Sequence, residues 1–346
     1  MTVTSKQKPP VLGQWILDTR SWYPEVEKVH QLEKYASRAL SLLPTATRSQ
    51  VFRYVRPVDA KMALGSALLK HYAVARLSRD PATPWSRVVT TGFKVGPPEG
   101  GTGGTTKPIY VDPGTGRQPV SFNVSHQAGV VAIVAVATSG TANQGGEEEG
   151  RNEEGEEGEV VQVGVDVVSP PERRKRDLEF ISSSGWPAFV DMHADVLGHG
   201  EVAYLKHQVP LRVDAGSTEQ ANDERLRAFY ALWALREAYL KLGGTGLVAD
   251  WLRELEFRGF RAPRPTAAWD VPASEDKGEV LNDISIWLRG QKVEDVDMSL
   301  RSIGPEFMVA TAVKTPGSKA ARLGSALGPY EVLSLEEVLD FAEASG

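Results

Sequence analysis

The chain has 346 residues, of which 41% are hydrophobic and 24% charged, and it contains no cysteine. This length and composition are typical of a soluble protein with two units of similar size. The lack of cysteine excludes disulfides, thiolate metal sites and a cysteine nucleophile. The longest apolar run, residues 128–137, is about half as long as a membrane-spanning helix, and residues 1–13 carry no apolar signal segment. We therefore expect a cytoplasmic protein without membrane association.

The charges are distributed unevenly along the chain. Residues 1–138 contain 17 Lys and Arg against 8 Asp and Glu, residues 139–159 contain one Arg against 8 Glu, and residues 160–346 contain 21 against 29. The basic first part predicts a ligand that carries phosphate. Because the sequence has no long basic stripe, zinc knuckle or RNP-like aromatic motif, we expect no nucleic-acid partner.

Two low-complexity segments interrupt the chain. Residues 96–106 are rich in Gly, Pro and Thr and predict a flexible loop without a complete phosphate-binding glycine motif. Residues 139–159 are rich in Gly and Glu and predict a disordered insertion between two strands, with a role in regulation or partner binding as the alternative. We therefore divide the chain into a basic half (1–138), the acidic insertion (139–159) and a second half (160–346).

The remaining pattern is typical of an α+β chain. β-branched and apolar runs predict strands at 120–124, 130–137, 160–168, 252–260, 284–288 and 307–313. Helices are predicted at 59–77, with Asp59 as the N-cap, and at 223–242, ended by Gly243 and Gly244. Each half thus combines one long helix with antiparallel strands, which suggests a duplication that the two helix sequences do not prove.

The second long helix carries charges in an apolar setting. Arg236, Glu237 and Lys241 lie among apolar and aromatic residues that occupy nearly every face, as in a buried helix. Glu237 and Lys241 are four residues apart, so an ordinary helical ion pair is one interpretation. Since buried charges need a partner or a ligand, a ligand site is the other.

A further acid, Asp166, lies near the end of a valine-rich strand. Gly164, two residues earlier, would let another backbone or a ligand approach closely. Asp166 and Glu237 could share a Mg²⁺ ion, which commonly takes one or two protein carboxylates together with waters and substrate phosphates. Two unrelated structural acids are the alternative.

Ser125 and His126 follow the strand 120–124. They are neighbours, so they cannot form a nucleophile–base pair across a site, and the context is not G-x-S-x-G. We interpret them as phosphate donors instead. A separate group of acids and histidines has no metal-ligand spacing, and we do not interpret it as a metal site. Its members are Asp191, His193, Asp195, His199 and Glu201.

Three of these segments resemble the motifs of the Sfp-type 4′-phosphopantetheinyl transferases. FNVSH, Phe122–His126, is similar to the family's FN(I/V)SH, and GVDV, Gly164–Val167, to its G(I/V)D(I/V). WALREAYLKLGGTGL, Trp233–Leu247, resembles W-x-x-K-E-(A/S)-x-x-K-x-x-G-x-G-L, and Thr106–Pro108 resembles its GKP. The resemblance runs from about Thr47 to Phe257 and is greatest to eukaryotic, broad-specificity members, fungal ones included.

The resemblance implies an α+β fold of two similar halves, related by a pseudo-twofold axis, with the active site between them. It implies an enzyme, a holo-[acyl-carrier-protein] synthase, that transfers 4′-phosphopantetheine from coenzyme A (CoA) to a serine of carrier domains and releases adenosine 3′,5′-bisphosphate. Its partners would be carrier domains of fatty acid synthases, polyketide synthases, non-ribosomal peptide synthetases and the aminoadipate reductase of lysine biosynthesis. Because one chain contains both halves, the resemblance implies a monomer. A non-catalytic CoA-binding or scaffold homologue is the alternative.

The resemblance also implies roles for individual residues. Asp166 and Glu237 would hold Mg²⁺ on the diphosphate of CoA, and Glu237, or a water it positions, would take the proton of the carrier serine. Lys241 and His126 would contact the CoA phosphates, and Ser125 belongs to the same CoA-binding turn.

Further cations complete the implied site. Lys107, with Arg53 or a neighbour, would meet the 3′-phosphate or the diphosphate, and Arg236 would bind the cofactor where the family usually has lysine. Bacterial members have a third acid where this chain has Val168, so Gln127 or a water would complete the metal coordination.

Overall fold

The computed structural model describes residues 11–78, 83–95, 105–137, 161–212, 217–244, 251–266, 279–315 and 327–346. The acidic insertion 139–159 and most of the loop 96–106 lie outside the described residues. The described residues form helices and strands in a mixed α/β arrangement, as the sequence pattern predicts.

The strands are β1 (Leu12–Asp18), β2 (Thr91–Val95), β3 (Thr105–Ile109), β4 (Val120–Gln127), β5 (Val130–Ala137), β6 (Gln162–Val168), β7 (Leu255–Arg258), β8 (Val280–Leu281), β9 (Ser285–Leu288), β10 (Gln291–Lys292), β11 (Val296–Ile303), β12 (Phe307–Lys314) and β13 (Glu331–Leu333). The helices are α1 (Leu32–Tyr35), α2 (Ser37–Ser41), α3 (Thr45–Val51), α4 (Pro57–Leu77), α5 (Pro170–Ser184), α6 (Trp186–Asp191), α7 (His199–Ala203), α8 (Val209–Arg212), α9 (Thr218–Gly243) and α10 (Leu335–Ala344).

Two four-stranded sheets form the centre of the fold. The first has the order β13-β1-β5-β4 and is antiparallel except for the β1–β13 pair, and the second has the antiparallel order β6-β12-β11-β8. Smaller sheets, β10-β9-β7 and β2-β3, flank them. The strands β4 and β6, which are separated along the chain by β5, are each the edge strand of a different sheet.

The two central sheets pack against each other, and a long helix packs on the outer face of each. The alternation of side chains along the strands shows this arrangement. Along β5, Val131, Ile133 and Ala135 belong to the core under α4, while Val130 and Val134 belong to a core shared with the second sheet. On β12 and β6 the alternation is the same, with one set of residues against the first sheet and the other against α9. The order of layers is therefore α4, first sheet, second sheet, α9.

Buried polar side chains of β4 join the two sheets at their edges. The amide of Val165 donates to Asn123 Oδ1 at 3.0 Å, and the amide of Val167 donates to Ser125 Oγ at 3.4 Å. The next amide in this alternation, at position 169, donates to Gln127 Oε1 at 3.2 Å. Every second residue of β4 thus satisfies a backbone donor along the edge of β6, and this fixes β4 against β6.

The predicted long helices are confirmed, although both begin earlier than expected. The prediction of Asp59 as an N-cap is wrong, because α4 begins at Pro57, where proline's fixed φ and missing N–H suit the first turn. Helix α9 begins at Thr218, capped by Ser217, whose hydroxyl accepts from the Gln220 amide at 3.2 Å. Its end is confirmed, since Gly244 adopts the left-handed C-cap conformation with φ of 69°. Within the described ranges, no helix has both the length and the apolarity needed to cross a membrane.

Candidate active site

A cleft of about 590 Å³ opens where β4, β6 and α9 meet. The first part of α4 and helices α5 and α6 complete its walls. Its acidic side chains are Asp59, Asp166, Glu172, Asp177 and Glu237, and its basic side chains are His126, Arg173, Arg176, His193 and Lys241. The cleft therefore holds a mixture of acids and cations, of which Asp166 and Asp177 are buried, as in a site for a charged ligand.

Asp166, Ser125 and Lys241 form a hydrogen-bonded cluster at the base of this cleft. The Ser125 hydroxyl donates to Asp166 Oδ1 at 2.8 Å, and Lys241 Nζ donates to the same oxygen at 2.6 Å. Lys241 Nζ also lies 3.1 Å from Ser125 Oγ. Three segments that are distant in the sequence thus meet in one cluster, and Asp166 is only 7% exposed.

The close packing of β6 against α9 brings Asp166 towards the helix. Side chains at 164, 166 and 168 share one face of β6, the face that packs on α9. A Cβ placed on Gly164 would lie 2.1 Å from the carbonyl oxygen of Ala238, so only glycine allows this approach. The predicted role of Gly164, close approach of another backbone, is confirmed.

Glu237 lies in the cleft one helical turn before Lys241. Burial raises the pKa of Glu237, the negative charge of Asp166 raises it further, and Lys241 and Arg236 act in the opposite direction. A carboxylate with a raised pKa is better matched to accepting a proton near neutral pH than an ordinary glutamate. Glu237 is therefore a candidate general base.

The charges at this end of the cleft fit a divalent cation. With both acids ionised, Asp166 and Glu237 carry two negative charges, and only Lys241 among the hydrogen-bonded partners balances them. Two carboxylates are what Mg²⁺ commonly takes from protein when phosphate and water supply its other oxygens. Among the described residues, no three His, Cys, Asp or Glu side chains converge on one point. The Gln127 amide, proposed as a further ligand, donates to Glu172 Oε2 at 2.6 Å and accepts from the Ser169 amide.

Comparison with known proteins identifies the family of this chain. The family model of the 4′-phosphopantetheinyl transferase superfamily matches residues 162–282, which include Asp166, Glu237 and Lys241. The 4′-phosphopantetheinyl transferase 1 of Fusarium mangiferae is 40% identical over 97% of this chain and 97% of its own length. The chain belongs to the 4′-phosphopantetheinyl transferase superfamily, a class of transferase enzymes.

Two further fungal relatives extend the similarity at lower identity. The 4′-phosphopantetheinyl transferase of Aureobasidium melanogenum is 32% identical over 87% of this chain and 90% of its own length. The 4′-phosphopantetheinyl transferase NpgA of Emericella nidulans is 30% identical over 92% and 86%. The phosphopantetheinyl transferase resemblance seen in three short motifs thus extends over most of the chain.

His126 and Lys107 are the other phosphate ligands that the resemblance implies. Partial burial lowers the pKa of His126, and the positive charges of Lys241 and Lys70 lower it further. Lys107 Nζ donates to the Leu242 carbonyl at 3.2 Å, beside Lys241, and burial lowers the pKa of Lys107 to about 8. Both residues therefore place ionisable groups within reach of the end of α9.

The structure does not bring Arg53 or Arg236 into the cleft. Arg53 is exposed in the turn between α3 and α4. Arg236 is 1% exposed, it points about 100° round α9 from Glu237, and its guanidinium donates to Glu201 Oε2 at 2.6 Å. Two backbone carbonyls, at residues 252 and 255, accept its remaining bonds at 2.5 and 2.9 Å. The resemblance implied a cofactor-binding role for this arginine, but its charge is used in a buried ion pair.

The acids and histidines between 191 and 201 separate into different environments. Glu201 pairs with Arg236, and its second oxygen accepts from the Phe257 amide at 2.9 Å. Asp191 pairs with Lys206 at the surface. His193 lines the cleft, packed on aromatic rings.

Sequence reasoning missed an aromatic wall that continues the cleft along α9. Phe229, Tyr230 and Trp233 precede Glu237 on the same side of the helix and line the cleft with Phe189 and His193. The spacing 230, 233, 237 and 241 repeats every three or four residues, so a helical projection of α9 would have shown these aromatic residues beside the catalytic candidate.

Proposed function

We propose that the protein transfers the 4′-phosphopantetheine group of CoA to a serine of carrier domains and releases adenosine 3′,5′-bisphosphate. The observation that carries this proposal is the cluster of Asp166, Ser125 and Lys241 beside Glu237, in a cleft lined by strands of both central sheets. The fungal relatives support it, since each is named a 4′-phosphopantetheinyl transferase.

In the proposed reaction the carrier serine is the nucleophile and Glu237 is the general base. The serine oxygen forms a bond to the β-phosphorus of CoA, and the bond from that phosphorus to the bridging oxygen breaks. The proton of the hydroxyl passes to Glu237, directly or through a water, and adenosine 3′,5′-bisphosphate leaves with the bridging oxygen.

Cations of the chain would stabilise the charge that develops on the diphosphate. Lys241 is held by Asp166 and Ser125 at the base of the cleft, so its ammonium is already positioned for a phosphate oxygen. Positioning and electrostatic stabilisation are the main protein contributions to phosphoryl transfer. His126, which follows Ser125 on β4, would donate to the same phosphates.

Asp166 and Glu237 would hold Mg²⁺, because the two acids carry more negative charge than Lys241 balances. When bound, Mg²⁺ would neutralise diphosphate charge and polarise the phosphoryl oxygens.

The aromatic wall would contact the pantetheine arm of CoA. From Lys241 back to Tyr230 the helix advances eleven residues, about 16 Å at 1.5 Å per residue. An arm that leaves the diphosphate along this wall would contact Trp233, Tyr230 and His193, which offer apolar faces with polar edges.

We also propose that the chain acts as two similar halves, 1–138 and 160–346, joined through the insertion 139–159. Helix α4 packs on β4 and β5 in the first half, and α9 packs on β6 and β12 in the second. A single chain would then contain a whole site, so we propose a cytoplasmic monomer. Its clients would be carrier domains of fatty acid, polyketide, non-ribosomal peptide and lysine-pathway enzymes.

The test is transfer of mass to a carrier. The protein is incubated with CoA, Mg²⁺ and several apo carrier domains, and each carrier is weighed by mass spectrometry. A gain of one phosphopantetheine, lost in Glu237→Gln but kept in the matched control Glu224→Gln on the exposed side of α9, supports the proposal. CoA binding without a gain on any carrier would instead support a non-catalytic CoA-binding homologue.

A further inference from the structure

Lys70 lies on the side of α4 that leads to the cleft. Asp59, Met62, Ser66 and Lys70 are spaced three or four residues apart, and the first two line the cleft. The Gly129 amide donates to Met62 Sδ at 3.2 Å, which fixes this part of α4 beside the β4–β5 turn.

From this contact the two elements run side by side. Lys70 lies eight residues further along α4, about 12 Å at 1.5 Å per residue. At about 3.3 Å per residue, the same distance along β4 spans three to four residues back from Gly129. This spacing places Lys70 near the level of Ser125 and His126, and its positive charge acts on the His126 ring.

The ammonium of Lys70 has no acceptor in the parts of the chain that the structure describes. Its side chain is half-buried, and burial lowers its pKa without any compensating partner. Lys61 lies nine residues earlier, on the other face of the same helix. It is also half-buried, but its Nζ donates to the Tyr23 carbonyl at 3.1 Å. A partly desolvated ammonium without an acceptor is costly, and an anionic ligand would remove that cost.

His126 connects Lys70 to the site. Residues alternate along β4, so Ser125 faces Asp166 while His126 faces the α4 side, with Val124. The positive charge of Lys70 lowers the pKa of His126, as does that of Lys241, while Asp59 and Asp166 oppose this effect. Lys70 and Lys241 thus approach β4 from opposite sides.

CoA carries two separate anionic centres, a diphosphate and a 3′-phosphate. Under the proposed function, the diphosphate must lie at Asp166 and Glu237, where Lys241 meets it. A second cation on the other side of β4 is placed for the second anionic centre. We propose that Lys70 binds the 3′-phosphate of CoA and makes the enzyme discriminate CoA from dephospho-CoA. This inference rests on the proposed function.

The experiment compares Lys70→Met with the matched control Lys61→Met. Dissociation constants for CoA and for dephospho-CoA, which lacks the 3′-phosphate, are measured by calorimetry without carrier. We expect Lys70→Met to weaken CoA binding about tenfold or more and to change dephospho-CoA binding by less than about twofold. Lys61→Met should change the ratio of the two constants by less than about twofold, and Lys70→Arg should restore most of the discrimination.

An equal loss for both ligands, or no loss for either, would overturn the assignment. Thermal unfolding of each variant detects a folding defect. Binding of adenosine 3′,5′-bisphosphate is compared with binding of adenosine 5′-monophosphate, which lacks the 3′-phosphate, to detect a lost phosphate contact. A wild-type protein that binds CoA but modifies no carrier contradicts the proposed function and leaves the comparison at Lys70 decisive. A wild-type protein that binds neither ligand contradicts both.

Discussion

The ion pair between Arg236 and Glu201 predicts a large and specific effect on stability. Both side chains are 1% exposed, and each is held by backbone groups as well as by its partner. Burial raises the pKa of Glu201 and lowers the pKa of Arg236, so each charge depends on the other. Since Arg236 precedes Glu237 directly, the pair also anchors the helix that carries the proposed base.

Neutralising both partners should cost less than the sum of the two single changes. Glu201→Gln leaves the Arg236 charge buried without its counter-ion, and Arg236→Met leaves a buried carboxylate with two amide donors. We expect each single change to lower the free energy of unfolding by about 3–5 kcal/mol. The double variant should be about 2–3 kcal/mol more stable than the sum of the two single effects predicts. Arg236→Lys keeps the charge and three N–H donors and should cost about 1 kcal/mol.

Urea unfolding and the kinetics of transfer decide between this structural role and cofactor binding. With a structural role, KM for CoA per folded molecule stays within about twofold in Arg236→Lys and in the double variant. The reasoning is refuted if Arg236→Met unfolds like wild type yet raises KM for CoA about tenfold, because the guanidinium would then act on the ligand.

Four further predictions concern the cleft and the acidic insertion. Asp166→Ala and Glu237→Ala should each abolish carrier modification. The melting temperature should stay equal or rise in Glu237→Ala but fall in Asp166→Ala, which removes the acceptor of Lys241 and Ser125, and loss of activity only in step with loss of folding would make both acids structural. Because the pKa of Glu237 is raised, its replacement should stabilise the protein at neutral pH, and this gain, followed by urea unfolding, should vanish below about pH 4, where the acid is protonated in both states. The pKa of Lys107, about 8, predicts that adenosine 3′,5′-bisphosphate binds more weakly as the pH rises from 7 to 9, and calorimetry should find a flatter profile in Lys107→Gln. Deleting 140–159 should leave transfer per folded molecule within about a factor of two to three, with any fall in KM confined to low salt; complete loss would show that the insertion docks a partner.

The sequence predicted the helices and strands correctly where the hydrophobic pattern fits only one type of secondary structure. The strand 130–137 is found at β5 with the predicted ends, and α9 is buried on nearly every face as expected. The beginning of α9 was missed because residues 218–222 are polar, and only the cap at Ser217 marks the start. The run 252–260 became a short 3₁₀ turn, Leu252–Glu254, followed by β7, since an apolar run alone does not separate these structures.

Neighbouring residues of one motif do not all lie in the same surroundings, and this limits how much of the site the sequence could predict. Glu237 and Lys241 face the cleft, yet Arg236, their neighbour in the same motif, points in another direction, where Glu201 meets it. That partner is 35 residues away, and no spacing rule connects the two. Lys70 was missed for a similar reason, because its importance comes from the strand that packs beside it.

The FNVSH segment shows why a motif can carry structure and chemistry together. Phe122 and Val124 pack in the core under α4, whereas Asn123 and Ser125 point the other way and accept from backbone amides of β6. Ser125 does both tasks, since its hydroxyl also donates to the cleft aspartate and lies beside the cleft lysine. His126 alone of the five has a ring exposed at the cleft. Replacing Ser125 would therefore disturb the joint between the sheets and the charge cluster together, whereas replacing His126 would test phosphate binding with the joint intact.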